Sequence, residues 1–237
     1  MDNPPWDAPL DESALAGMGS GTRGLFLTFE GVDGSGKTTQ LALLATAFEA
    51  AGYDVVTTRE PGGTALGEAV RLALLDPAHE GMSHRAEALL YAAARAQLVE
   101  KVIRPALDRG CVVLSDRYMD SSFAYQGFGR GLGYENLLTL NMWATQQLVP
   151  DLTFVLLIDA ATRAARMGRE LDRLEASGDD FFALVDDGYR RLIDEHPHRI
   201  QAVDAGGSAA EVALLVTALV AEELGLELAA DHGAGRA

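Results

Sequence analysis

A chain of 237 residues, 48 % hydrophobic and 7 % aromatic, is long enough for one domain with a substantial core. Its formal net charge of -16 argues against nucleic acid or an anionic membrane as the main partner, and no stretch approaches the roughly 20 apolar residues of a membrane span. The same acidity makes the cations informative: Lys37 and Lys101 are the only lysines, so any phosphate site here must draw on one of them and on arginines.

Residues 1–23 carry two adjacent prolines and a glycine-rich exit, with no basic region ahead of an apolar one. They are expected to form a flexible tail and not a signal peptide. Strand-like apolar runs follow at 25–30, 54–58, 111–115, 152–158 and 199–203. Helical patterns lie between them: 38–51, closed by Gly52; one from about Thr64; a long one over 83–108 with a kink or restart at Pro105; 134–148; 180–195; and a last one from Ser208. Ser208 and Glu211 stand at capping-box spacing. Short buried strands alternating with helices imply an α/β fold, a parallel five-stranded sheet covered on both faces. One domain is expected over 24–228, with a second flexible tail over 229–237. The single cysteine, Cys111, lies in an apolar run; it reads as a core residue in a reduced, cytoplasmic setting.

In such sheets ligands bind beyond the carboxyl ends of the strands, and the informative residues sit there. After the first strand, Gly31-Val32-Asp33-Gly34-Ser35-Gly36-Lys37-Thr38 is a full P-loop. Its glycines let successive backbone N–H groups face an anion, the next helix adds its positive end, and Lys37 reaches the β- and γ-phosphates. The Thr38 hydroxyl is placed to ligate Mg²⁺. These features imply an ATP-type nucleotide site in a three-layer P-loop NTPase fold; they do not decide between transfer, hydrolysis and sensing. No Asn-Lys-x-Asp guanine reader is present. After the second strand comes TREPGG with Arg59, and after the third SDRY with Asp116 and Arg117. An aspartate there holds Mg²⁺ directly or through water, and an arginine beside it forks onto a second phosphate. A second anion site opposite the P-loop favours a small-molecule kinase, with an ATP-dependent binding switch as the rival.

Together with GVDGSGKTT, the segments TREPGGT, AEALLYAAARAQLVEKVIRPAL, SDRYMDSSFAYQGFGRG, PDLTFVL and ELDRLE resemble the bacterial thymidylate (dTMP) kinases. The likeness runs in order over residues 25–193, and DRYMDSSFAYQG is its most specific part. It implies transfer of the γ-phosphate of MgATP to dTMP, for dTTP synthesis, by a homodimer. It further implies that Tyr91 stacks on the base, where phenylalanine is more usual, and that Arg95 reaches a base carbonyl. Ser122 and Gln126 would make the other polar contacts to the base. Tyr125 would lie beneath the sugar, Asp33 would meet its 3′-hydroxyl, and Arg59 and Arg117 would grip the monophosphate. Some members carry an arginine where Gly34 stands, so here the resemblance assigns the catalytic arginine to a mobile lid, RMGRELDRLEASGDD. Arg166, Arg169 and Arg173 lie at helical spacing in it; Arg169 is favoured, with Arg166 next. The start of this region departs from the family pattern, since IDAATRAARMGRE lacks the usual proline.

Overall fold

The structure, a computed structural model, describes residues 23–166, 173–174 and 178–228. Both expected tails, save Arg23, lie outside the described residues, as does Arg169. Five strands, β1 (Phe26–Glu30), β2 (Val55–Arg59), β3 (Val112–Asp116), β4 (Leu152–Leu157) and β5 (Ile200–Asp204), form one parallel sheet in the order β2-β3-β1-β4-β5. The helices are α1 (Lys37–Ala50), α2 (Ala65–Leu75), α3 (His84–Leu98), α4 (Arg104–Asp108), α5 (Met119–Ser122), α6 (Tyr134–Thr145), α7 (Ala160–Arg166), α8 (Asp179–Glu195) and α9 (Ala209–Leu224). Among the described residues no helix is long and apolar enough to cross a membrane.

Successive strand side chains alternate between two cores, which is why the strands are apolar almost throughout. Phe26, Val113, Val155 and Ile200 face one core, with Val185, Tyr189 and Leu192 of α8. Leu27, Phe29, Leu114, Phe154 and Leu156 face the other, against Leu41, Leu44 and Phe48 of α1 and Val212, Val216 and Val220 of α9. Each such buried Leu, Val or Phe contributes about 1.5–3 kcal/mol relative to exposure. A polar pair interrupts this pattern where its members satisfy each other: the Thr28 and Thr153 hydroxyls meet at 2.8 Å inside the sheet.

The strand order places the connection leaving β1 on one side and that leaving β3 on the other, which opens a crevice above their carboxyl ends. The P-loop leaves β1 and Asp116-Arg117 closes β3, so the fold brings both to that crevice. Gly31 makes the turn possible. Its φ is +126°, and a Cβ there would lie 2.5 Å from the Leu156 carbonyl oxygen.

Three stretches add to or differ from the sequence expectation. The long helix over 83–108 restarts at Pro105 as expected, in the first turn of α4, but a wide π turn, Val99–Ile103, precedes the restart. The helix expected to reach residue 148 stops at Thr145, because Gln146 and Gln147 turn left-handed, with φ of 53° and 62°. Residues 119–129, to which the pattern assigned no element, form α5 and a second π turn, Phe123–Gly129. A π turn has neither the 3.6- nor the 2-residue period, so hydrophobic spacing does not announce it.

Candidate active site

Two cavities meet over the carboxyl ends of β1 and β3. The larger, a cleft of about 1120 Å³, is bounded by the P-loop, Thr38, Asp116, Arg166 and the turn after β5 at Ala205, Gly207 and Ser208. The smaller, about 170 Å³, is lined by Tyr91 and Arg95 of α3, Ser122, Tyr125 and Gln126, with Leu75 and Leu174. Asp33, Glu60, Arg71 and Arg117 line both.

On the larger side, the Lys37 ammonium donates to the Val32 carbonyl at 2.9 Å and lies 3.8 Å from Asp33 Oδ1. Burial and the nearby Arg117 guanidinium lower its pKa to about 8. Gly36, with φ +95°, sets the start of α1, whose first turn carries no acidic residue to compete with an anion. Thr38 Oγ1 donates to Asp116 Oδ2 at 2.6 Å. This hydroxyl–carboxylate pair at the mouth of a P-loop is the all-oxygen donor set that Mg²⁺ prefers. Arg166, at the end of α7, donates to the carbonyls of Gly34, Ala205 and Gly207 at 3.1–3.4 Å, bridging the P-loop to the turn after β5.

Arg117 occupies the junction. Its guanidinium donates to Asp33 Oδ1 at 2.7 Å, to the Gly31 carbonyl at 2.9 Å and to Ser121 Oγ at 3.1 Å, and it sits 5.1 Å from the Tyr125 ring centre. Burial works against ionisation of Asp33, but Arg117 and Lys37 outweigh it and hold the carboxyl well below the usual range. Arg117 aims its side chain from a left-handed backbone, φ 72°, a conformation that costs a non-glycine residue about 1–3 kcal/mol and persists only when its neighbours over-determine it. Here they do: its N–H donates to the Phe29 carbonyl, and Ser115 Oγ donates to its carbonyl.

Beneath Arg117 lies a fully buried acid at the end of β1. Glu30 accepts from the Tyr118 N–H at 2.7 Å and from the hydroxyls of Ser121 and Tyr189. Burial, then the charge of Asp120, pushes its pKa up to about 7. A carboxyl that loses its proton near 4.5 when unfolded and near 7 when folded makes the parent less stable as pH rises between those values. Glu30→Gln lacks that titration. The melting temperature of the variant, relative to the parent, should therefore rise between about pH 5 and about pH 8; a flat difference in paired melts would show that Glu30 stays ionised throughout.

The structure brings most of the expected residues to these cavities, with three qualifications. Arg59 lines the larger cleft, not the smaller one, and is half-exposed in a two-pronged contact with Glu68 at 3.0 and 3.1 Å. Arg173 is not on an open helix face: it sits buried in a turn, donating to the Leu74 carbonyl and Glu87 Oε2, both at 2.7 Å. Arg95 is 1 % exposed, and every one of its nitrogens has a protein acceptor among Glu60, Ser122, Asn141 and the Tyr118 carbonyl. A base carbonyl, the partner that the resemblance implies for Arg95, would meet a guanidinium whose nitrogens are all engaged.

Three residues that motif reading passes over belong to the same place. Arg71 of α2 lines both cavities and donates to the Pro61 carbonyl at 3.1 Å. Glu60, buried against Arg95, also reaches both, and burial raises its pKa despite that pairing. Arg163 stacks on Phe182, 3.5 Å from the ring centre, and its charge helps lower Asp33. Arg71 had a legible signal, the one cation on a helix whose only other charged residue is Glu68, in a lysine-poor chain.

Comparison with known proteins bears on what this pair of cavities is for. Residues 29–214 match the family model for thymidylate kinase. The thymidylate kinase of Exiguobacterium sp. is 49 % identical over 187 residues, 78 % of this chain and 88 % of the relative. That of Bifidobacterium longum is 50 % identical over 188 residues, 78 % of this chain and 91 % of the relative. The crystal structure of thymidylate kinase from Ehrlichia chaffeensis superposes with a TM-score of 0.69 at 34 % identity, covering 84 % of this chain and 99 % of that one. The matched span takes in the P-loop, β2, α3, the Asp116-Arg117 turn and both π turns, the elements of this chain that build the two cavities, and the chain belongs to the thymidylate kinase family.

Proposed function

We propose that the two cavities are the donor and acceptor halves of one phosphoryl-transfer site, with ATP in the larger cleft and dTMP in the smaller. As a thymidylate kinase the chain transfers the γ-phosphate of ATP to dTMP, giving ADP and dTDP on the route to dTTP. The observation that carries the division of labour is the shared wall, since Asp33, Glu60, Arg71 and Arg117 line both cavities. Two anions that repel each other need positive groups where they meet, and Arg71 and Arg117 supply them. Lys37 and the P-loop amides take the donor phosphates. Thr38 and Asp116 would hold Mg²⁺, which when bound neutralises charge on the β- and γ-oxygens. In the acceptor half, Tyr91 offers a stacking face, Ser122, Gln126 and Arg95 the polar edge, Tyr125 the floor under the sugar, and Asp33 a partner for the 3′-hydroxyl. Arg166 on the donor side and Arg163 near Asp33 are the described arginines that a closing lid would bring to the moving phosphoryl; Arg169 remains a third.

A homodimer in the cytoplasm completes the reading. Leu89 on α3 and Trp143 on α6 are 57 % and 82 % exposed, and α3 and α6 pack together, which supports an apolar helical interface. Cys111 is buried and unpaired, as suits a reducing compartment.

An acceptor panel with ATP, followed by ADP release, tests the assignment. dTMP should be used best and dUMP roughly tenfold less well, because a missing methyl contact is worth about 1–3 kcal/mol. UMP should be poorer still, its 2′-hydroxyl meeting the Tyr125 ring. Equal kcat/KM for all three would remove the base and sugar assignments together.

A further inference from the structure

Glu87, Tyr91 and Arg95 follow one another at four-residue spacing, so they share a face of α3. The last two line the smaller cavity, and Glu87 lies behind them, with no surface exposed. Both of its oxygens are occupied. Oε1 accepts from Gln126 Nε2 at 2.9 Å and from Arg130 Nε at 3.4 Å, and Oε2 accepts from Arg173 Nη2 at 2.7 Å. Burial opposes its ionisation, but the Gln126 hydrogen bond and the two arginines prevail and hold it below the ordinary glutamate value.

An ionised carboxylate only accepts hydrogen bonds, whereas a glutamine amide has a donor end and an acceptor end. Glu87 therefore decides which way Gln126 points. The Nε2 end must face the carboxylate, and Oε1 is left as the polar end of Gln126 for the cavity that this residue lines. Among the described residues Oε1 meets no donor, yet it is not one of the buried atoms closed off from space. A thymine edge presents N3–H, a donor that matches such an acceptor. Cytosine presents a bare N3 lone pair at the same position, which an amide oxygen repels.

We propose that Glu87 is a specificity-determining positioning residue: by accepting from Gln126 Nε2 it turns Gln126 Oε1 toward the base, so the site selects an N3–H pyrimidine and rejects cytosine. This rests on the reading that the base of the acceptor nucleotide occupies the smaller cavity. Arg173 does not reach the base but acts at one remove. Tied to both Glu87 and the Leu74 carbonyl, it fixes the carboxylate that fixes the amide.

The test is kcat/KM for dTMP and for dCMP on the full chain, the Glu87→Gln and Gln126→Met variants, and the double variant. Glu87→Gln replaces an acceptor-only group with one that can donate to Gln126 Oε1 and let the amide turn. The dTMP-to-dCMP ratio should fall by roughly tenfold to a hundredfold, mainly through KM for dTMP. Gln126→Met should lower the ratio similarly, and adding Glu87→Gln to it should change the ratio by less than about threefold, because both act through one amide. A general loss of packing would instead depress both substrates alike, and that result overturns the proposal. So does an effect of Glu87→Gln that persists undiminished in the Gln126→Met background. Should Glu87→Gln fail to fold, Glu87→Asp takes its place with the same expectation, since it keeps the charge beside Arg173 but withdraws it from Gln126. A parent chain that prefers dCMP would overturn the cavity assignment along with this inference. A parent selective for dTMP whose variants keep the same ratio overturns the inference alone.

Discussion

Lys37→Ala should lower kcat on the order of a thousandfold or more while leaving the fold in place. The ammonium is buried and lies beside the P-loop carbonyl of Val32 and the Asp33 carboxylate, where a phosphate oxygen has little water to compete with it. Its partners in the free protein are one backbone carbonyl and one carboxylate that Arg117 also holds, so alanine strands no buried anion and folding should survive. Because burial lowers its pKa to about 8, the free enzyme at that pH is partly deprotonated there, and the bound polyphosphate favours the charged form. ATP binding should therefore take up protons near pH 8, and calorimetry in buffers of different ionisation enthalpy would show it. A variant that retains near-native kcat, or binding with no proton uptake at that pH, would place the donor phosphates elsewhere.

Arg117→Ala should strike the acceptor side hardest. Removing one partner of a buried, hydrogen-bonded charge pair costs about 2–5 kcal/mol, so dTMP affinity should fall by roughly thirtyfold or more. ATP affinity should fall at least tenfold less than that of dTMP, since Lys37 and the P-loop amides carry the donor phosphates. Separate titrations of each nucleotide into the variant decide the matter. Loss of ATP binding with dTMP binding intact would exchange the roles of the two cavities. Arg117→Lys should not restore function, because a single ammonium cannot span Asp33, the Gly31 carbonyl and Ser121 as the guanidinium fork does.

Much of this protein is legible in its residues taken in order. The five strands were bounded to within a residue because buried parallel strands are nearly continuous apolar runs, and the P-loop because only glycines tolerate its backbone. Asp116 and Arg117 could be named because strand ends in such sheets face the ligand. The tertiary structure decided what depends on groups far apart in sequence. Arg71, 46 positions before Arg117, reaches the same junction only because α2 packs against α3, with Val70 and Leu74 against Ala94. Arg173 sits at helical spacing from Arg166, yet Glu87, 86 residues away, holds it in a buried pair, and no local pattern encodes that partner. The π turns over Val99–Ile103 and Phe123–Gly129 follow no local period. Gly129 shows why: a Cβ there would lie 2.7 Å from Phe181, so the close approach of α8, a distant segment, sets that backbone. Local propensity and strand-end position are properties of neighbouring residues and can be read along the chain. The direction of the Gln126 amide and the sharing of Arg95 among four partners arise only when desolvated polar groups must satisfy one another across the fold.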